Sequence, residues 1–319
     1  MKADSRFTMK TFVIVNPHSG GGRTGRVAIS AIAQLRVAIG ACDVAFTTRP
    51  LEATTLARAA LDRGYTRIVA MGGDGTTNEV VNGFFSDGTA INATASLSIV
   101  SSGTGGDFRR TMGIADGIAA SIARLRDVPA RPIDVGHVRY VDAQGVPHER
   151  FFLNVASFGL SGDVVDRVAS AGPSRVFGGR LTYVLGALSA LRRHRRVNVR
   201  IMIDSHYDNS ADMTIGAICN GRFFGGGMMV APNALPDDGV FDVVLLRATT
   251  RLGVIARMSE LVRGTHVAHG SVRVARGASV VLTAAESTGE PIRLEIDGEN
   301  GACLPAHFTL RRHALLVHV

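Results

Sequence analysis

Residues 71–79 read Met71-Gly72-Gly73-Asp74-Gly75-Thr76-Thr77-Asn78-Glu79, and they decide the fold of the first part of the chain. A short apolar run at 67–71 leads into them and is typical of a buried strand. The apolar residues that follow have the spacing of one helix face: Val80, Val81, Phe84 and Phe85. The stretch is therefore predicted to be a turn from a strand into a helix.

The composition of this turn predicts a phosphate site. Its three glycines allow positive φ and let a ligand come close to the main chain. The N-terminus of the following helix offers free N–H groups and the positive end of the helix dipole. Asp74 would repel a polyphosphate unless a divalent cation lay between them, so the turn favours a site for a nucleotide with Mg²⁺. A plain glycine-rich turn with Asp74 as the N-cap of the helix is the alternative.

Three other predicted strands also end in polar or glycine-rich loops. Buried strands at 11–15, 43–47 and 97–100 lead into loops at 16–23, 47–49 and 101–110, and a helix is predicted after each loop. Pro50 is expected in the first turn of its helix. Alternating strands and helices indicate a doubly wound parallel sheet, in which ligands bind beyond the carboxyl ends of the strands. Any one of these loops could be a flexible connection, but together the four predict one nucleotide site.

The pattern becomes β-rich after residue 132. Strands are predicted at 133–140, 151–155, 197–203, 213–219, 241–246, 271–275, 279–283 and 291–296, and helices at 162–169, 180–194 and 250–262. We therefore predict an α/β ATP-binding domain at 10–132 and a β-sandwich substrate domain at 133–306. The C-terminal segment 307–319 is free to return to the first domain.

Two acidic stretches of the second domain are candidate sites. Asp238, in an Asp-Asp-Gly sequence before a strand, could hold a hard cation together with nearby carbonyl oxygens. An ordinary turn is the alternative. Asp297 and Glu299 flank a glycine where a strand ends, and paired carboxylates there suit a general base or a metal ligand. A charged hairpin turn is the alternative.

The bulk composition narrows the class of protein. The chain has 319 residues with 46% hydrophobic composition and a formal net charge of +8, which favours anionic partners. Aromatic residues make up only 6% and there is no Trp, so nucleic acid is not predicted as a partner. The three cysteines are far apart and fit reduced thiols in the cytoplasm. No signal peptide and no apolar run of about 18 residues is visible.

Five ordered motifs resemble the diacylglycerol kinase catalytic family, which includes bacterial soluble diacylglycerol kinases and the sphingosine and ceramide kinases. They are Asn16-Pro17-x-Ser19-Gly20, Gly72-Gly73-Asp74-Gly75-Thr76-x-Asn78-Glu79, Gly103-Thr104-x-x-Asp107-Phe108, Ala231-Pro232-x-Ala234-x-x-x-Asp238-Gly239 and Asp297-Gly298-Glu299. The second motif alone also resembles that of NAD kinases and phosphofructokinases. The resemblance implies an ATP-dependent lipid kinase with its nucleotide in a cleft between the two domains.

The resemblance also implies roles for single residues. The residues implied to contact ATP are Asn16, Pro17, Ser19, Gly20, Thr48, Gly72, Gly73, Asp74, Gly75, Thr76, Thr77, Asn78 and Thr104. Asp238 would hold a structural Mg²⁺ with the main-chain oxygens of Leu235 and Val240. Glu299 would accept the proton of the lipid hydroxyl, and Asp297 would lie beside it on the catalytic metal or the hydroxyl.

The chain departs from the family pattern in the third motif, and later in the chain an apolar helix is followed by a basic cluster. The family usually has Asn where this chain has Gly106, and Arg109 replaces a small residue. The helix at 181–191 precedes the basic cluster 192–196, which fits docking on anionic lipid. A buried helix that ends in cations is the alternative.

Several functional assignments follow from these observations. We expect a cytoplasmic protein at the inner face of the membrane that uses ATP and Mg²⁺, and a homodimer is one candidate assembly. Diacylglycerol is the default acceptor, with sphingoid bases, ceramides and other lipid alcohols left open. A kinase of a soluble acceptor, like NAD kinase, and a catalytically silent nucleotide-binding regulator are the alternative functions.

Overall fold

The computed structural model describes residues 9–102, 106–160, 196–247, 251–285 and 291–319. Described residues within 1–103, 115–132 and 314–319 form one compact unit, and those within 104–114 and 133–313 form a second. The predicted helices at 162–169 and 180–194 lie outside the described residues, as does the basic cluster except for Arg196. Within the described parts of the chain, no helix is long and apolar enough to cross a bilayer.

A parallel sheet forms the centre of the first unit. Its strands are β1 (Thr11–Val15), β2 (Cys42–Phe46), β3 (Arg67–Gly72) and β6 (Ser96–Ser101), and β4 (Phe85–Ser86) pairs with β5 (Thr89–Ala90) in a separate short hairpin. The order in the sheet is β2-β1-β3-β6. Every residue of β1, β3 and β6 is buried, as in the central strands of a sheet covered on both faces. The predicted parallel sheet is confirmed.

The helices of the first unit cover this sheet. They are α1 (Arg23–Ile39), α2 (Glu52–Asp62), α3 (Asp74–Gly83) and α5 (Ile118–Asp127). Helices α1 and α5 pack over Val13, Val69 and Val100 in one buried cluster. Helices α2 and α3 pack closely at Gly83, where a Cβ would lie 2.6 Å from the Cβ of Ala57. The register places Val15 opposite Phe46 and Met71, so the carboxyl ends of these strands are level.

Two local predictions in this unit are wrong. Helix α3 ends at Gly83, so Phe85 belongs to β4 and not to the helix, although its side chain is still buried. Pro50 precedes α2 and does not form part of its first turn, because Leu51 before Glu52 takes a left-handed conformation with φ 64°. A left-handed residue cannot belong to a right-handed helix, so the helix begins after it.

The second unit is β-rich. Strand β7 begins and strand β18 ends within the first unit. The strands are β7 (Ala130–Val141), β8 (Pro147–Phe152), β9 (Val155–Gly159), β10 (Val197–Ile203), β11 (Tyr207–Cys219), β12 (Phe223–Phe224), β13 (Met228–Met229), β14 (Phe241–Arg247), β15 (Val272–Gly277), β16 (Ser279–Ala284), β17 (Arg293–Ile296) and β18 (Glu299–His318). The helices are α4 (Asp107–Thr111) and α6 (Arg251–Arg263), and a 3₁₀ turn spans Thr265–Ala268. The strands predicted for the second domain are confirmed except the one at 151–155, which is interrupted after Phe152, and α6 confirms its third predicted helix.

The strands of the second unit pair antiparallel around an aromatic core. The main order is β15-β14-β11-β10-β16-β18, and β9 joins β11 to β17. The rings of Phe152 and Phe241 stack with centroids 5.8 Å apart, and Phe308 meets Phe152 edge to face. These side chains belong to one large buried apolar cluster that also includes residues of β10, β16 and β17. Along β10 and β16, buried residues alternate with more exposed ones, as a sandwich of antiparallel strands requires.

Candidate functional site

The loop after β1 exposes main-chain donors. Gly20, Gly21 and Gly22 have φ of 61°, 66° and 80°, a conformation that residues with a Cβ rarely adopt. Among the described residues, the N–H groups of Gly20 and Gly21 have no hydrogen-bond acceptor, and α1 begins directly afterwards at Arg23. Free N–H groups in front of a helix N-terminus are suited to bind phosphate.

The glycines between β3 and α3 do not have the positive φ that the sequence predicted. None of Gly72, Gly73 and Gly75 has positive φ, and Gly73 is extended with φ −103°. A Cβ on Gly72 would lie 2.4 Å from the Oγ1 of Thr76. Glycine is therefore needed here because the end of the strand lies against the first turn of α3. The positive end of the helix dipole at the N-terminus of α3 remains the feature that suits an anion.

Side-chain hydrogen bonds lock these loops together within the first unit. The Nδ2 of Asn16 donates to the Oγ1 of Thr76 over 3.1 Å. The hydroxyls of Thr24 and Ser102 are 2.6 Å apart, and Arg23 donates from Nη2 to the carbonyl of Ser102 over 3.0 Å. The loops after β1, β3 and β6 thus meet at one edge of the sheet, as the sequence predicted. Thr104, assigned to the third of them, lies outside the described residues.

Two further assigned residues of the first loop hold it on α1. The carbonyl of Pro17 accepts the N–H of Gly25 over 3.1 Å, and a Cβ on Gly25 would lie 3.0 Å from that oxygen. The hydroxyls of Ser19 and Thr24 are 2.5 Å apart. Both contacts fix the direction in which the loop leaves β1.

The last residues of the glycine motif support the helices. The hydroxyl of Thr77 donates to the carbonyl of Gly73 over 3.2 Å, and Asn78 is buried. The carboxylate of Glu79 accepts the N–H of Ala53 over 3.2 Å and so caps α2. A carboxylate at a helix N-terminus satisfies an orphan donor and complements the helix dipole. This part of the motif therefore fixes α2 and α3 against each other.

Thr48 is engaged with a carboxylate. Its N–H and its hydroxyl donate to the Oε2 of Glu52 over 2.5 and 2.9 Å. The backbone hydrogen bond from Thr48, followed by its hydroxyl, holds the pKa of Glu52 below its usual range. Both donors of Thr48 are thereby engaged just before the N-terminus of α2.

Asp74 is the first residue of α3 and is half-buried. In the described parts of the chain, no three His, Cys, Asp or Glu side chains gather as ligands of a metal. Magnesium bound with a nucleotide usually takes only one or two carboxylates, and phosphate oxygens and water complete its shell. A single carboxylate at this helix N-terminus would therefore suit an ion that arrives with a nucleotide.

In the second unit, the Asp297-Gly298 turn joins β17 to β18. Both residues have positive φ, 48° and 86°, which is the type I′ geometry that Asp-Gly favours in two-residue hairpins. Glu299 follows at the start of β18 with an exposed side chain. Among the described residues it makes no side-chain hydrogen bond, so its carboxylate is open to solvent.

The carboxylate of Asp297 is held by the main chain. It accepts the N–H groups of Leu153, Asn154 and Val155 over 2.8, 3.0 and 3.0 Å. The continuous strand predicted at 151–155 is wrong for this reason, because β8 ends at Phe152 and the chain turns toward the carboxylate before β9 begins. Asp297 therefore positions the turn that presents Glu299.

Asn154 extends this network to α4. Its Oδ1 accepts the hydroxyl of Thr111 over 2.9 Å, and its Nδ2 donates to the carbonyl of Phe223. Asp107, at the start of α4, accepts the N–H of Gly226 over 2.8 Å and a hydrogen bond from Arg110 over 2.8 Å. The third glycine-rich motif is thereby fixed to the same polar network as the Asp-Gly-Glu turn.

Sequence reasoning assigned no role to Glu295. The side chain is buried on β17 and accepts the hydroxyl of Ser157 over 2.7 Å. Burial raises its pKa to about 7, and the charges of Asp297 and Asp107 add to the increase while the Ser157 hydroxyl opposes it. The position of this glutamate between Leu294 and Ile296, in a run with the pattern of a buried strand, is the sequence feature that could have indicated a buried carboxyl group.

We expect Glu295 to make the stability of the protein depend on pH. Its pKa is higher in the folded chain than its ordinary value of 4.5. Folding therefore takes up a proton, and this contribution to stability is present below pH 4.5 and is lost as the pH rises to about 7. Urea unfolding should show wild type losing about 1–3 kcal/mol relative to Glu295→Gln across this range. Parallel stability curves for the two proteins would contradict the assignment.

The two departures from the family pattern are in contact. Gly106 has φ 74°, and a Cβ on it would lie 2.9 Å from the Nε of Arg109. The guanidinium is tethered because its Nη1 donates to the carbonyl of Ile114 over 2.9 Å. The side chain of Arg109 thus takes space that an asparagine at 106 would need, so the two changes compensate for each other.

This contact predicts non-additive mutations. Gly106→Asn should destabilise the protein by about 1 kcal/mol or more, since asparagine tolerates the left-handed backbone but collides with Arg109. Adding Arg109→Ala should recover part of that loss, with a coupling of about 0.5–3 kcal/mol in a double-mutant cycle by urea unfolding. Additive effects of the two substitutions would mean that the positions are independent.

The carboxylate of Asp238, the side chain assigned to a structural Mg²⁺, does not fit a free cation site. Its Oδ1 accepts the N–H of Val240 over 3.2 Å. The Oδ2 of Asp238 forms an ion pair with Arg276, which also binds Asp242. A guanidinium on the principal ligand competes directly with a metal, so no step of the chemistry is assigned to an ion at this position.

Comparison with protein families divides the chain in two. Residues 10–138 match the family described as the diacylglycerol kinase catalytic domain. Residues 154–319 match the YegS C-terminal NAD kinase beta sandwich-like domain. The second match covers more than half of the chain and agrees with the antiparallel architecture of the second unit.

Individual relatives cover nearly the full length. A diacylglycerol kinase of Bacillus subtilis is 30% identical over 86% of this chain and 83% of its own length. One from Mycobacterium tuberculosis is 29% identical over 97% and 94% of the two chains. The crystal structure of a diacylglycerol kinase from Bacillus anthracis, at 19% identity, superposes with a TM-score of 0.68 over 97% of this chain and 96% of that chain. Yeast NADH kinase, at 10% identity, gives 0.50 over 97% and 82%.

Proposed function

The chain belongs to the diacylglycerol kinase family, and from this premise we propose that it transfers the γ-phosphate of ATP to the hydroxyl of a lipid, with diacylglycerol as the acceptor and phosphatidic acid as the product. Family membership supports a kinase. The named activity of relatives at 29–30% identity supports the choice of acceptor.

The observation that carries the proposal is the anchored Asp297-Gly298-Glu299 turn. Three main-chain donors fix the carboxylate of Asp297, and Glu299 two residues later is exposed without a partner among the described residues. A general base needs an accessible carboxylate on a well-fixed backbone, because proton transfer depends first on geometry and then on pKa. We assign Glu299 to accept the proton of the acceptor hydroxyl.

The glycine-rich loops of the first unit support the binding of ATP. The N–H groups of Gly20 and Gly21 and those at the start of α3 would bind phosphate oxygens. The hydrogen bond from Asn16 to Thr76 would hold the two loops in position relative to each other. Phosphoryl transfer needs the phosphate held in line with the attacking oxygen and little covalent chemistry from the protein.

Magnesium bound with the nucleotide would supply positive charge that screens the transferred phosphate. Asp74 is the residue that would hold it, because its carboxylate begins α3 beside the phosphate loops. A carboxylate in that position without a cation would repel the nucleotide. The assignment of ATP contacts to Ser19, Thr48 and Thr104 rests on the family resemblance.

A soluble acceptor is the alternative to a lipid. The similarity to yeast NADH kinase is at the level of the fold alone, so a soluble acceptor is a weaker proposal. A lipid acceptor implies that the protein meets a membrane surface, and its net charge of +8 supports attraction to anionic lipid. We include peripheral association with the membrane in the proposal.

Phosphate transfer to a set of acceptors tests the proposal. The protein is incubated with γ-labelled ATP, Mg²⁺ and mixed micelles that contain diacylglycerol, sphingosine or ceramide, with NAD in a parallel reaction. Label in phosphatidic acid, lost in Asp74→Asn, is the expected result. Label only in the nucleotide product of NAD would favour the soluble acceptor, and binding of ATP without transfer to any acceptor would favour a regulatory protein.

A further inference from the structure

Arg276 on β15 lies between two carboxylates of the second unit. Its Nε donates to the Oδ1 of Asp242 over 3.1 Å, and its Nη2 forms an ion pair with the Oδ2 of Asp238. Asp242 on β14 is directly opposite Arg276 in the antiparallel register. The backbone pairing of the two strands therefore delivers the guanidinium to this position.

The two carboxylates need a positive charge between them. Asp242 is buried, and burial raises the pKa of its carboxyl, with the charge of Asp238 acting in the same direction. Arg276 opposes both effects through its charge and its hydrogen bond. Arginine stays protonated at any physiological pH and presents several donors in one plane, so a single guanidinium can serve both acids.

The loop that carries Asp238 is otherwise fixed by protein contacts. The buried carboxylate of Asp134 accepts the N–H of Gly239 over 2.7 Å, and the N–H of Asp134 donates to the carbonyl of Pro236 over 2.7 Å. The other oxygen of Asp134 accepts the N–H of His313 over 2.7 Å. Protein hydrogen bonds thus hold the loop on both sides of Asp238.

We propose that the guanidinium of Arg276 replaces a structural metal ion at Asp238, so that this part of the second unit is stable without a divalent cation. The positive charge that the neighbouring carboxylates of Asp238 and Asp242 require is supplied by the side chain of Arg276. Asp238 then has a structural role in this protein that magnesium does not control, and the proposal is independent of the acceptor of the kinase reaction.

Thermal unfolding of the nucleotide-free protein tests this directly. Wild type is measured in EDTA and in millimolar MgCl₂, beside Asp238→Asn under both conditions. We expect the Tm of wild type to be the same in both, or any shift to be equal in Asp238→Asn. A magnesium-induced rise of about 2 °C or more in wild type that is absent from Asp238→Asn would overturn the proposal.

Substitution of the guanidinium gives the complementary test. Arg276→Gln should lower the Tm in EDTA, and magnesium should restore part of the loss, because two uncompensated carboxylates are left. Arg273→Gln is the matched control, since Arg273 is exposed on the same strand and stacks on Tyr207 without a carboxylate partner among the described residues. An Arg276→Gln protein with the Tm of Arg273→Gln and no response to magnesium would contradict the proposal. The wild-type comparison decides it if Arg276→Gln does not fold.

Discussion

Replacing Glu299 by Gln is expected to lower kcat by about 10²–10⁴-fold and to leave the Tm unchanged. The amide keeps the size of the side chain but cannot accept a proton from the acceptor hydroxyl. The side chain is exposed and makes no hydrogen bond among the described residues, so its loss should not affect folding. Initial rates at saturating ATP, together with thermal unfolding, measure the two effects separately.

The matched control for this prediction is Asp212→Asn. Asp212 is an exposed carboxylate on β11, and its neutralisation changes the net charge of the protein by the same amount. It should leave kcat within about twofold of wild type, because an exposed charge outside the site contributes little. Glu299→Gln with near-wild-type kcat would remove Glu299 from the proposed role of proton acceptor.

The second large effect is expected at Asp297, where Ala should reduce the free energy of unfolding by about 3 kcal/mol or more. The substitution leaves the three N–H groups of Leu153, Asn154 and Val155 without their acceptor in a buried region. It also places alanine at φ 48°, where a residue with a Cβ is strained. Asn should cost less, since it keeps one acceptor oxygen and tolerates this conformation.

Urea unfolding of both Asp297 variants, with kinetics on the folded fraction, measures this prediction. We expect kcat to fall in Asp297→Asn even where the protein is fully folded, because the turn that carries Glu299 is less well fixed. The KM for ATP should change little by comparison. A stable Asp297→Ala protein would show that the three hydrogen bonds do not hold the turn.

The sequence was sufficient for the parts of the fold that local patterns encode. The apolar runs that became β1, β3 and β6 are buried at every position, and each is followed by a polar or glycine-rich loop. A short and mainly apolar run without alternation is typical of a strand that is buried on both faces, so the parallel sheet followed from the pattern. Most antiparallel strands of the second unit were predicted from the β-rich pattern after residue 132, whereas the strand predicted at 151–155 is interrupted.

Features that depend on distant partners were missed. The strand is interrupted at Leu153 and Asn154 because a carboxylate more than 140 positions later accepts their N–H groups. Nothing in the local sequence 151–155 indicates this partner. The same reason explains why Arg276 was not recognised beside Asp238, since only the pairing of β14 with β15 brings them together.

The glycine motif shows a different kind of error. Its glycines were interpreted as a source of positive φ, yet glycine is required at 72 because a Cβ there would lie 2.4 Å from the Oγ1 of Thr76. Both explanations give the same sequence pattern, so only coordinates distinguish them. The assignments of ATP contacts and of the proton acceptor stay predictions. Thr104 and residues 181–195, which include the helix predicted to dock on lipid, lie outside the described residues.

The ratio of kcat/KM for diacylglycerol to that for NAD, measured with γ-labelled ATP and Mg²⁺, tests the central claim most directly. The proposed lipid kinase predicts label in phosphatidic acid, at least about 10²-fold preference for diacylglycerol, and loss of that label in Glu299→Gln. Labelled NAD product with no labelled lipid, or transfer to lipid that is unchanged in Glu299→Gln, would contradict the account.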